Sequence, residues 1–221
     1  MSLFAAAQCK PSSWPISVGA EGIAAAQFAR CGFDVLIQAG HDKPWYDLAV
    51  TKGGNLLKVA VKATEDGRWC LVQSFIKRAA HSNGRKADAH GGIDLWLDIH
   101  GSRTVYCLVQ FQGVDFNQMP RIYLATPAEI AHKMRDTTER LGDPTLYEHY
   151  DWTSSESGYT SVETLPSSWI FSPERIRELL IPQSATEFSG SAIHARQSPV
   201  DIRPKVTASV LPDLSQAILS A

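Results

Sequence analysis

The sequence predicts an α/β protein in which helices flank a central mixed sheet of five or more strands. Short apolar runs separated by Gly, Asn and Asp turns are concentrated in residues 33–111, a pattern typical of strands. Signals for the start of a helix come before and after these runs, at Ser17 and at Thr126. The chain has 221 residues, 44% of them hydrophobic and 20% charged, which suits one moderate domain with appendages.

Each element follows from a local pattern. Ser17 is the expected cap of a helix over residues 18–30, which ends at Gly32. Turn residues divide the following stretch into four predicted strands, at 33–39, 45–51, 56–63 and 69–75. A hairpin at Gly53 and Gly54 joins the second and third of these. A further hairpin is predicted to join residues 93–100 to residues 104–111.

The C-terminal half contains two further helix signals. Thr126 and Pro127 predict a helix that flanks the sheet, and Ser172 with Pro173 predicts a shorter last helix. Residues 142–168, between these helices, are predicted to form an ordered but irregular connection. We expect residues 1–182 to form the domain, whereas residues 183–221 have the composition of a linker-like tail.

Several classes of protein are not indicated. No apolar run reaches the roughly 18 residues that span a bilayer, and the first residues lack the pattern of a secretory signal, so we expect a cytoplasmic protein without a membrane partner. The cysteines contain no CxxC pair, which predicts free buried thiols at Cys9, Cys31, Cys70 and Cys107. The histidines show no metal-binding spacing, and loop or surface positions are predicted for His81, His90 and His100.

Positive charge is concentrated in residues 41–90. This segment has nine Lys or Arg against five Asp or Glu, a balance of +4, which leaves −6 for the rest of a chain whose net charge is −2. Such a segment indicates either a surface for phosphates or a solvated basic loop, which we expect at residues 76–92. The predicted contacts to nucleic acid are Lys58, Lys77, Arg78, Arg85 and Lys86.

The predicted hairpin carries residues suited to phosphodiester chemistry. Alternation divides its second arm into a core face, containing Val59 and Val61, and an opposite face with Lys58, Ala60 and Lys62. An acid such as Asp47 can hold Mg²⁺ through oxygen, and a lysine can orient water or stabilise charge on a phosphate. Glu21, expected in the first turn of its helix, offers a further oxygen. Each residue also has a purely structural alternative. Asp47 would be a polar strand residue, Lys62 a lysine that protects a sheet edge, and Glu21 a favourable charge at a helix N-terminus.

Three segments, GAEGIAAAQFARCGFDV, YDLAV and LLKVAVKAT, resemble the core of the PD-(D/E)XK nuclease superfamily, especially its Holliday junction resolvase-like and group I intron homing endonuclease-like branches. The resemblance covers residues 17–111. It implies a restriction-endonuclease-like core, Mg²⁺ or Mn²⁺ as cofactor, DNA as partner and a possible homodimer. It makes Asp47 the principal metal ligand, Lys62 the catalytic lysine and Glu21 an acidic helper.

The chain departs from the family pattern at Ala60, where relatives carry Glu, Asp or Gln. The main-chain carbonyl of Val61 remains available as a metal ligand. Gln73, on the predicted next strand, is the first candidate to replace the missing catalytic oxygen, followed by Gln38 and Glu65. We therefore expect a metal-dependent DNA endonuclease-like protein, or else an inactive nuclease-fold module that binds nucleic acid or a protein. A third possibility is an interaction protein whose basic segment meets an acidic partner.

Overall fold

A computed structural model describes residues 14–38, 45–83, 88–101, 103–153 and 160–180. These ranges belong to the first of two units of the chain, Met1–Pro182; the second, Gln183–Ala221, contains the predicted tail and lies outside the described residues. Within the described ranges, no helix is long and apolar enough to cross a bilayer.

The described strands are β1 (Asp34–Ile37), β2 (Leu48–Lys52), β3 (Asn55–Thr64), β4 (Arg68–Trp69), β5 (Thr104–Gln110), β6 (Arg121–Ala125), β7 (Leu146–Tyr147), β8 (His149–Thr153) and β9 (Thr160–Thr164). The described helices are α1 (Trp14–Arg30), α2 (Gln73–Asn83), α3 (Ala89–Asp98), α4 (Pro127–Leu141) and α5 (Pro173–Leu180). A 3₁₀ turn covers Ser167–Trp169. The fold is mixed α/β, as predicted.

A five-stranded sheet is at the centre, in the order β1-β2-β3-β5-β6. Neighbouring strands are antiparallel except for β3 and β5, which are parallel, so the sheet is mixed as predicted. The predicted hairpin joins β2 to β3. Its two turn residues, Gly53 and Gly54, have φ of 58° and 81°, which is the left-handed backbone that a tight two-residue turn requires.

Helices cover both faces of the sheet. Residues of α1 and α5, including Phe28 and Ile176, pack on the face that carries Val59 and Val61. Residues of α2, α3 and α4 pack on the opposite face around Ala60. The alternation predicted for the third strand is therefore confirmed, and the two predicted flanking helices lie on opposite sides of the sheet.

Residues 69–75 do not form the predicted strand. Only Arg68 and Trp69 pair as the short strand β4, and helix α2 begins at Gln73. Val72, Phe75 and Ala79 are all buried, and their spacing of three and four residues is that of one helical stripe. The stretch expected to be a basic loop is therefore helical over much of its described part.

Residues 93–98 belong to helix α3, so the predicted strand over 93–100 is wrong. The stretch alternates like a strand, but Ile93 and Trp96 are buried three residues apart, as on a helix. Asp88 caps this helix by accepting from the Gly91 N–H at 3.0 Å. At Gly92 a Cβ would lie 2.4 Å from Cγ1 of Ile76, so glycine permits the close packing of α3 on α2.

The second arm of that predicted hairpin, residues 104–111, is confirmed as strand β5, but its neighbours are β3 and β6. Every residue of β5 is buried. A continuous apolar run is typical of a strand that is covered on both faces. The strand therefore lies inside the sheet and not in a two-stranded hairpin.

A charged cluster at Glu129 and Arg175 attaches the last helix to the rest of the domain. The predicted start of α4 is confirmed by a capping box, in which Thr126 and Glu129 exchange hydrogen bonds. Arg175 of α5, which is 9% exposed, binds both carboxylate oxygens of Glu129 at 2.6 Å and also donates to the Leu124 carbonyl at 3.2 Å. The last helix is thus fastened to the end of β6 and the start of α4.

The connection at 142–168 is more regular than predicted, because it contains β7 and the antiparallel pair β8 and β9. Glu163 of β9 is only 1% exposed and accepts from the Lys133 ammonium of α4 at 2.8 Å. Arg140 of α4 forms an ion pair with the other oxygen of this carboxylate, although that contact lacks hydrogen-bond geometry. Arg140 therefore stabilises the buried carboxylate by charge attraction and not by a hydrogen bond.

The cysteines only partly follow the prediction. Cys31 and Cys107 are free thiols, and burial raises the pKa of Cys107. Cys70 is disulfide-bonded, so the prediction of a free thiol is wrong there. Cysteine spacing along the chain does not show which thiols meet once the chain folds.

Candidate functional site

Asp47 lies at a kink where strand β2 begins. Its N–H donates to the Val59 carbonyl of β3 at 2.8 Å, while its own carbonyl accepts from the Gln38 N–H, beyond β1, at 2.9 Å. In a regular antiparallel strand the main-chain N–H and C=O of one residue point to the same neighbouring strand. Since Leu48 is the register partner of Val59, two residues of one strand face one residue of the other, which is the arrangement of a β-bulge.

The Asp47 carboxylate is bound to the lysine-bearing strand. Its Oδ2 accepts a hydrogen bond from the main-chain N–H of Val61 at 2.8 Å. The pairing of β2 with β3 ends at Val59, so the side chain takes the place of a main-chain carbonyl further along the strand. Lys62 directly follows Val61, so this bond holds the predicted acid against the main chain next to the predicted lysine.

Ala60 and Lys62 differ sharply in exposure. The side chain of Lys62 is exposed, whereas Ala60 is 2% exposed. Ala60 is the register partner of Tyr106 on β5 and belongs to the buried cluster that also contains Trp69 and Trp96. The position that carries an acid in the resembled family is therefore enclosed by aromatic side chains.

A hydrogen-bonded histidine and tyrosine lie beside Ala60. Nε2 of His100 is 2.6 Å from the Tyr106 hydroxyl, and Nδ1 is 2.6 Å from the Trp96 carbonyl. Because a carbonyl only accepts, Nδ1 carries the proton in the neutral ring and Nε2 accepts from Tyr106. The His100 ring centroid is 4.7 Å from that of Trp96 and 5.3 Å from that of Tyr106. His100 is half-buried in the loop that follows α3, so it has one of the two kinds of position predicted for it.

The charges of the two predicted catalytic residues act on this pair. Burial lowers the pKa of His100, its bond to the Trp96 carbonyl opposes that effect, and the charge of Lys62 lowers the pKa further. Burial raises the pKa of Tyr106; a hydrogen bond with Trp96 opposes the rise, and the charge of Asp47 adds to it. The sequence did not predict the pair of His100 and Tyr106 because residues 93–100 were assigned to a strand. A helix at Trp96 is needed to bring its carbonyl close to His100, four residues later.

Acid is expected to destabilise the protein through His100. Its pKa is lower in the folded protein than the ordinary value of about 6.5, so the unfolded chain binds this proton more readily. The contribution of neutral His100 to the free energy of unfolding is therefore fully present above that ordinary value. It is lost as pH falls through the pKa of His100 in the folded protein. Urea denaturation should show a free energy of unfolding that decreases from about pH 7.5 to about pH 5.

Two variants separate His100 from other titrating groups. His100→Asn should reduce this slope, because the ring facing Lys62 and Tyr106 is gone. His90→Asn, at an exposed position on α3, should leave it unchanged. A slope that is identical in His100→Asn and the wild type would contradict the assignment.

Glu21 lies inside α1, so the predicted position in the first turn is wrong. The helix begins at Trp14 and has no acidic residue in its first turn. Glu21 shares a helical stripe with the buried residues Ala24 and Phe28, so it lies on the side of the helix that packs on the sheet.

Helix α1 packs on the face of the sheet that carries Val59 and Val61, so Glu21 lies on the opposite face from Lys58 and Lys62. Helix α1 packs on β1 and turns into it through residues 31–33. The helix covers about 13 Å from Arg30 back to Glu21. The strand covers about the same 13 Å from Asp34 to Gln38, the hydrogen-bond partner of Asp47.

The strand position predicted for Gln73 is wrong, since it is the first residue of α2. Its amide nitrogen is 3.5 Å from the Thr145 hydroxyl, and Thr145 in turn donates to Asp143 at 2.7 Å. These contacts connect Gln73 to the segment before β7. Its role as a replacement for the missing acid remains a prediction.

Gln38 is better placed among the candidates for the missing oxygen. Its main chain is bonded directly to Asp47, and its Oε1, like that of Gln73, is buried without a hydrogen-bond partner in the described part of the chain. Glu65 is exposed in the turn that follows β3. An orphaned amide oxygen next to a carboxylate is a suitable hard ligand for a cation.

The donors at this end of the sheet partly fit Mg²⁺ or Mn²⁺. The Asp47 carboxylate, the Gln38 amide and the Val61 carbonyl are all oxygen ligands of the kind these ions prefer. Across the described ranges, no group of three or more His, Cys, Asp or Glu is arranged to hold a metal ion. A cation here would therefore depend on one or two carboxylates with neutral oxygens, which favours weak binding.

The predicted phosphate contacts lie on different elements. Lys58 is exposed on the same face of β3 as Lys62, and its ammonium is 5.5 Å from the centroid of the Tyr46 ring. Lys77 and Arg78 are exposed on helix α2 and not on the predicted loop. The predicted contacts Arg85 and Lys86 lie outside the described residues.

No protein-family profile matches this chain, and a search of curated proteins found no relative.

Proposed function

We propose that this protein is a metal-dependent DNA endonuclease-like protein that hydrolyses phosphodiester bonds at the site formed by Asp47 and Lys62. The bond of 2.8 Å between the Asp47 carboxylate and the Val61 N–H carries the proposal. It holds an acid from one strand against the main chain next to the exposed lysine of the following strand.

The order of the elements supports a restriction-endonuclease-like core. Helix α1 is followed by the acid-bearing start of β2 and then by β3 with its lysine. Helices and strand β5 come next, and β5 returns parallel to β3 in the same sheet. The helix, the acid-bearing strand and the lysine-bearing strand follow one another as the resemblance implies, whereas α3 occupies the place of its further strand.

Each residue has a role in this proposal. Asp47, with Glu21, Gln38 and the Val61 carbonyl as further oxygen donors, would hold Mg²⁺ or Mn²⁺. When bound, the cation would stabilise negative charge on the phosphate. The exposed Lys62 would orient water or stabilise the same charge. Lys58, Lys77 and Arg78 would position the DNA backbone without reading its sequence.

Substitution of the two central residues tests the proposal. Plasmid and branched DNA are incubated with Mg²⁺ or Mn²⁺, and cleavage rates of the wild type are compared with those of Asp47→Asn and Lys62→Ala. Asn retains an oxygen acceptor for Val61, so the strand contact is preserved. Each variant is expected to lose at least about 100-fold in rate, as when a transition-state charge loses its stabilising group.

Lys52→Ala is the matched control. Lys52 is an exposed lysine of the neighbouring strand whose ammonium lies 4.9 Å from the centroid of the Phe33 ring, on the other face of the sheet. Its removal should leave the cleavage rate unchanged. Cleavage that survives both Asp47→Asn and Lys62→Ala would overturn the site.

A second candidate is an inactive nuclease-fold module that binds nucleic acid or a protein. The burial of Ala60 favours it, because the carboxylate expected there is missing and aromatic side chains fill the space. Wild-type protein that binds DNA but leaves it intact with either metal would support this candidate.

We include a homodimer in the proposal, whereas the cytoplasmic location expected from the sequence stays a prediction. Strand β1 supports the dimer: it is the edge of the sheet and exposes Leu36 by 61% and Ile37 by 59%. The disulfide at Cys70 counts against a cytoplasmic location, because reducing compartments rarely keep such bonds.

A further inference from the structure

Trp45 presents a large aromatic surface next to the candidate site. Its side chain is 63% exposed, two residues before Asp47 in the sequence. Its ring centroid is 6.5 Å from that of His100, whose ring is part of the pair beside Ala60. The tryptophan ring is therefore backed by one imidazole and leaves most of its surface to solvent.

Two exposed lysines lie on strand β3, on the face opposite to its valines. Lys58 and Lys62 are four residues apart, which places their Cα atoms about 13 Å apart. The Lys58 ammonium lies 5.5 Å from the centroid of the Tyr46 ring, and Tyr46 follows Trp45 in the sequence. The charge of Lys62 lowers the pKa of His100, whose ring centroid is 6.5 Å from that of Trp45. An exposed aromatic ring thus lies just before β2, and two cations lie along the neighbouring strand β3.

We propose that Trp45, Lys58 and Lys62 form a subsite for an unpaired nucleotide, with the base stacked on Trp45 and the adjoining phosphates bound by the lysines. This deepens the proposed function, on which it rests for the choice of DNA, by assigning single-stranded or locally unpaired DNA as the preferred substrate class. Stacking on aromatic rings is sequence-tolerant because every base has a π-face, and lysines bind the backbone.

The exposure of the ring favours an unpaired base over duplex DNA. In a duplex the faces of the bases are covered by their neighbours, so a protruding indole has no face to stack on. In a single strand the faces are accessible. The alternation of an aromatic ring with cations also suits a polyanion with planar groups better than an acidic peptide, which offers charge without planar rings.

Binding of labelled oligonucleotides tests the subsite. Fluorescence anisotropy compares a 20-nucleotide oligo-dT, a duplex of the same length and a poly-glutamate peptide, all in EDTA so that no cleavage occurs. Wild-type protein is expected to bind oligo-dT more tightly than the duplex. Trp45→Ala should weaken oligo-dT binding by between about 5-fold and 100-fold, the loss expected for one stacked base, and should have little effect on the duplex.

Three further variants sharpen the result. Trp45→Phe should retain part of the affinity, because a smaller ring still stacks. Phe116→Ala removes another fully exposed aromatic ring, in the loop between β5 and β6, and should have no effect. Lys58→Ala should reduce the slope of log affinity against log salt by about 0.7, the value for one phosphate contact to a single strand.

Several outcomes would overturn the subsite. These are no oligo-dT binding by the wild type, full affinity in Trp45→Ala, equal losses for duplex and single strand, or peptide binding as tight as oligo-dT binding. The last result would assign the surface to an acidic protein partner. Because cleavage is absent from this assay, these failures differ from failure of the endonuclease proposal, which the Asp47→Asn and Lys62→Ala rates decide.

Discussion

Replacement of Lys133 and Arg140 together by methionine is expected to lower the free energy of unfolding by about 3 to 5 kcal/mol, because Glu163 would be left as a buried, unpaired charge. Glu163 is 1% exposed, and these two residues are the cations in contact with its carboxylate. Methionine keeps most of the apolar stem of each side chain. Urea denaturation at neutral pH measures the loss.

A third substitution identifies the cause of this loss. Adding Glu163→Gln to the double variant should recover much of the stability, because a neutral amide replaces the stranded carboxylate. Arg177→Met is the control: its ion pair with Glu174 is exposed on α5 and is expected to contribute less than about 1 kcal/mol. If the double and triple variants are equally unstable, charge burial at Glu163 is not the cause.

The second large effect is expected at Ala60. Ala60→Glu should cost about 3 to 5 kcal/mol in metal-free buffer, because a longer, charged side chain enters a space filled by Trp69, Trp96 and Tyr106. If the rest of the metal site is intact, Mg²⁺ should recover part of the loss. A cation present at about 100 times its dissociation constant adds about 2.7 kcal/mol. The readout is the urea midpoint of unfolding with and without Mg²⁺.

Ala79→Glu is the matched control for that experiment. Ala79 is a buried alanine of α2, 4% exposed, and should be destabilised by Glu without any response to Mg²⁺. Ala60→Gln adds a test of charge at the same position. A loss in Ala60→Glu that Mg²⁺ does not change would show that the pocket cannot hold the ion, and would favour the inactive binding module.

Local patterns predicted the parts of the fold that local chemistry determines. The glycine turn at residues 53–54, the alternating faces of β3 and the capping box at Thr126 each depend on residues close together in sequence. Residues 93–98 were misassigned to a strand because periodicity alone does not distinguish a short apolar strand from a short buried helix. Only packing of α3 on α2 decides between them.

The sequence predicts which elements carry Asp47 and Lys62 but not what surrounds them. Asp47 and Lys62 follow from the hairpin and its faces. The bond from Val61 to the Asp47 carboxylate depends on the bulge that turns the chain at Asp47, and no sequence signal marks that bulge. The pair of His100 and Tyr106 required the correct assignment of α3 and the order of β3 and β5.

The bond between Asp47 and Val61 also bears on how such a protein could change over evolution. The carboxylate completes the hydrogen bonding of β3, so its loss would leave a main-chain donor without this acceptor, whatever the protein does. An acid at position 60 would have only a catalytic use, in a space that aromatic rings can fill. A lineage that abandoned DNA cleavage would therefore be expected to lose the second acid and keep the aspartate. Retention of Asp47 among relatives would then be a record of folding, and the residue at position 60 would be the more informative sign of catalysis.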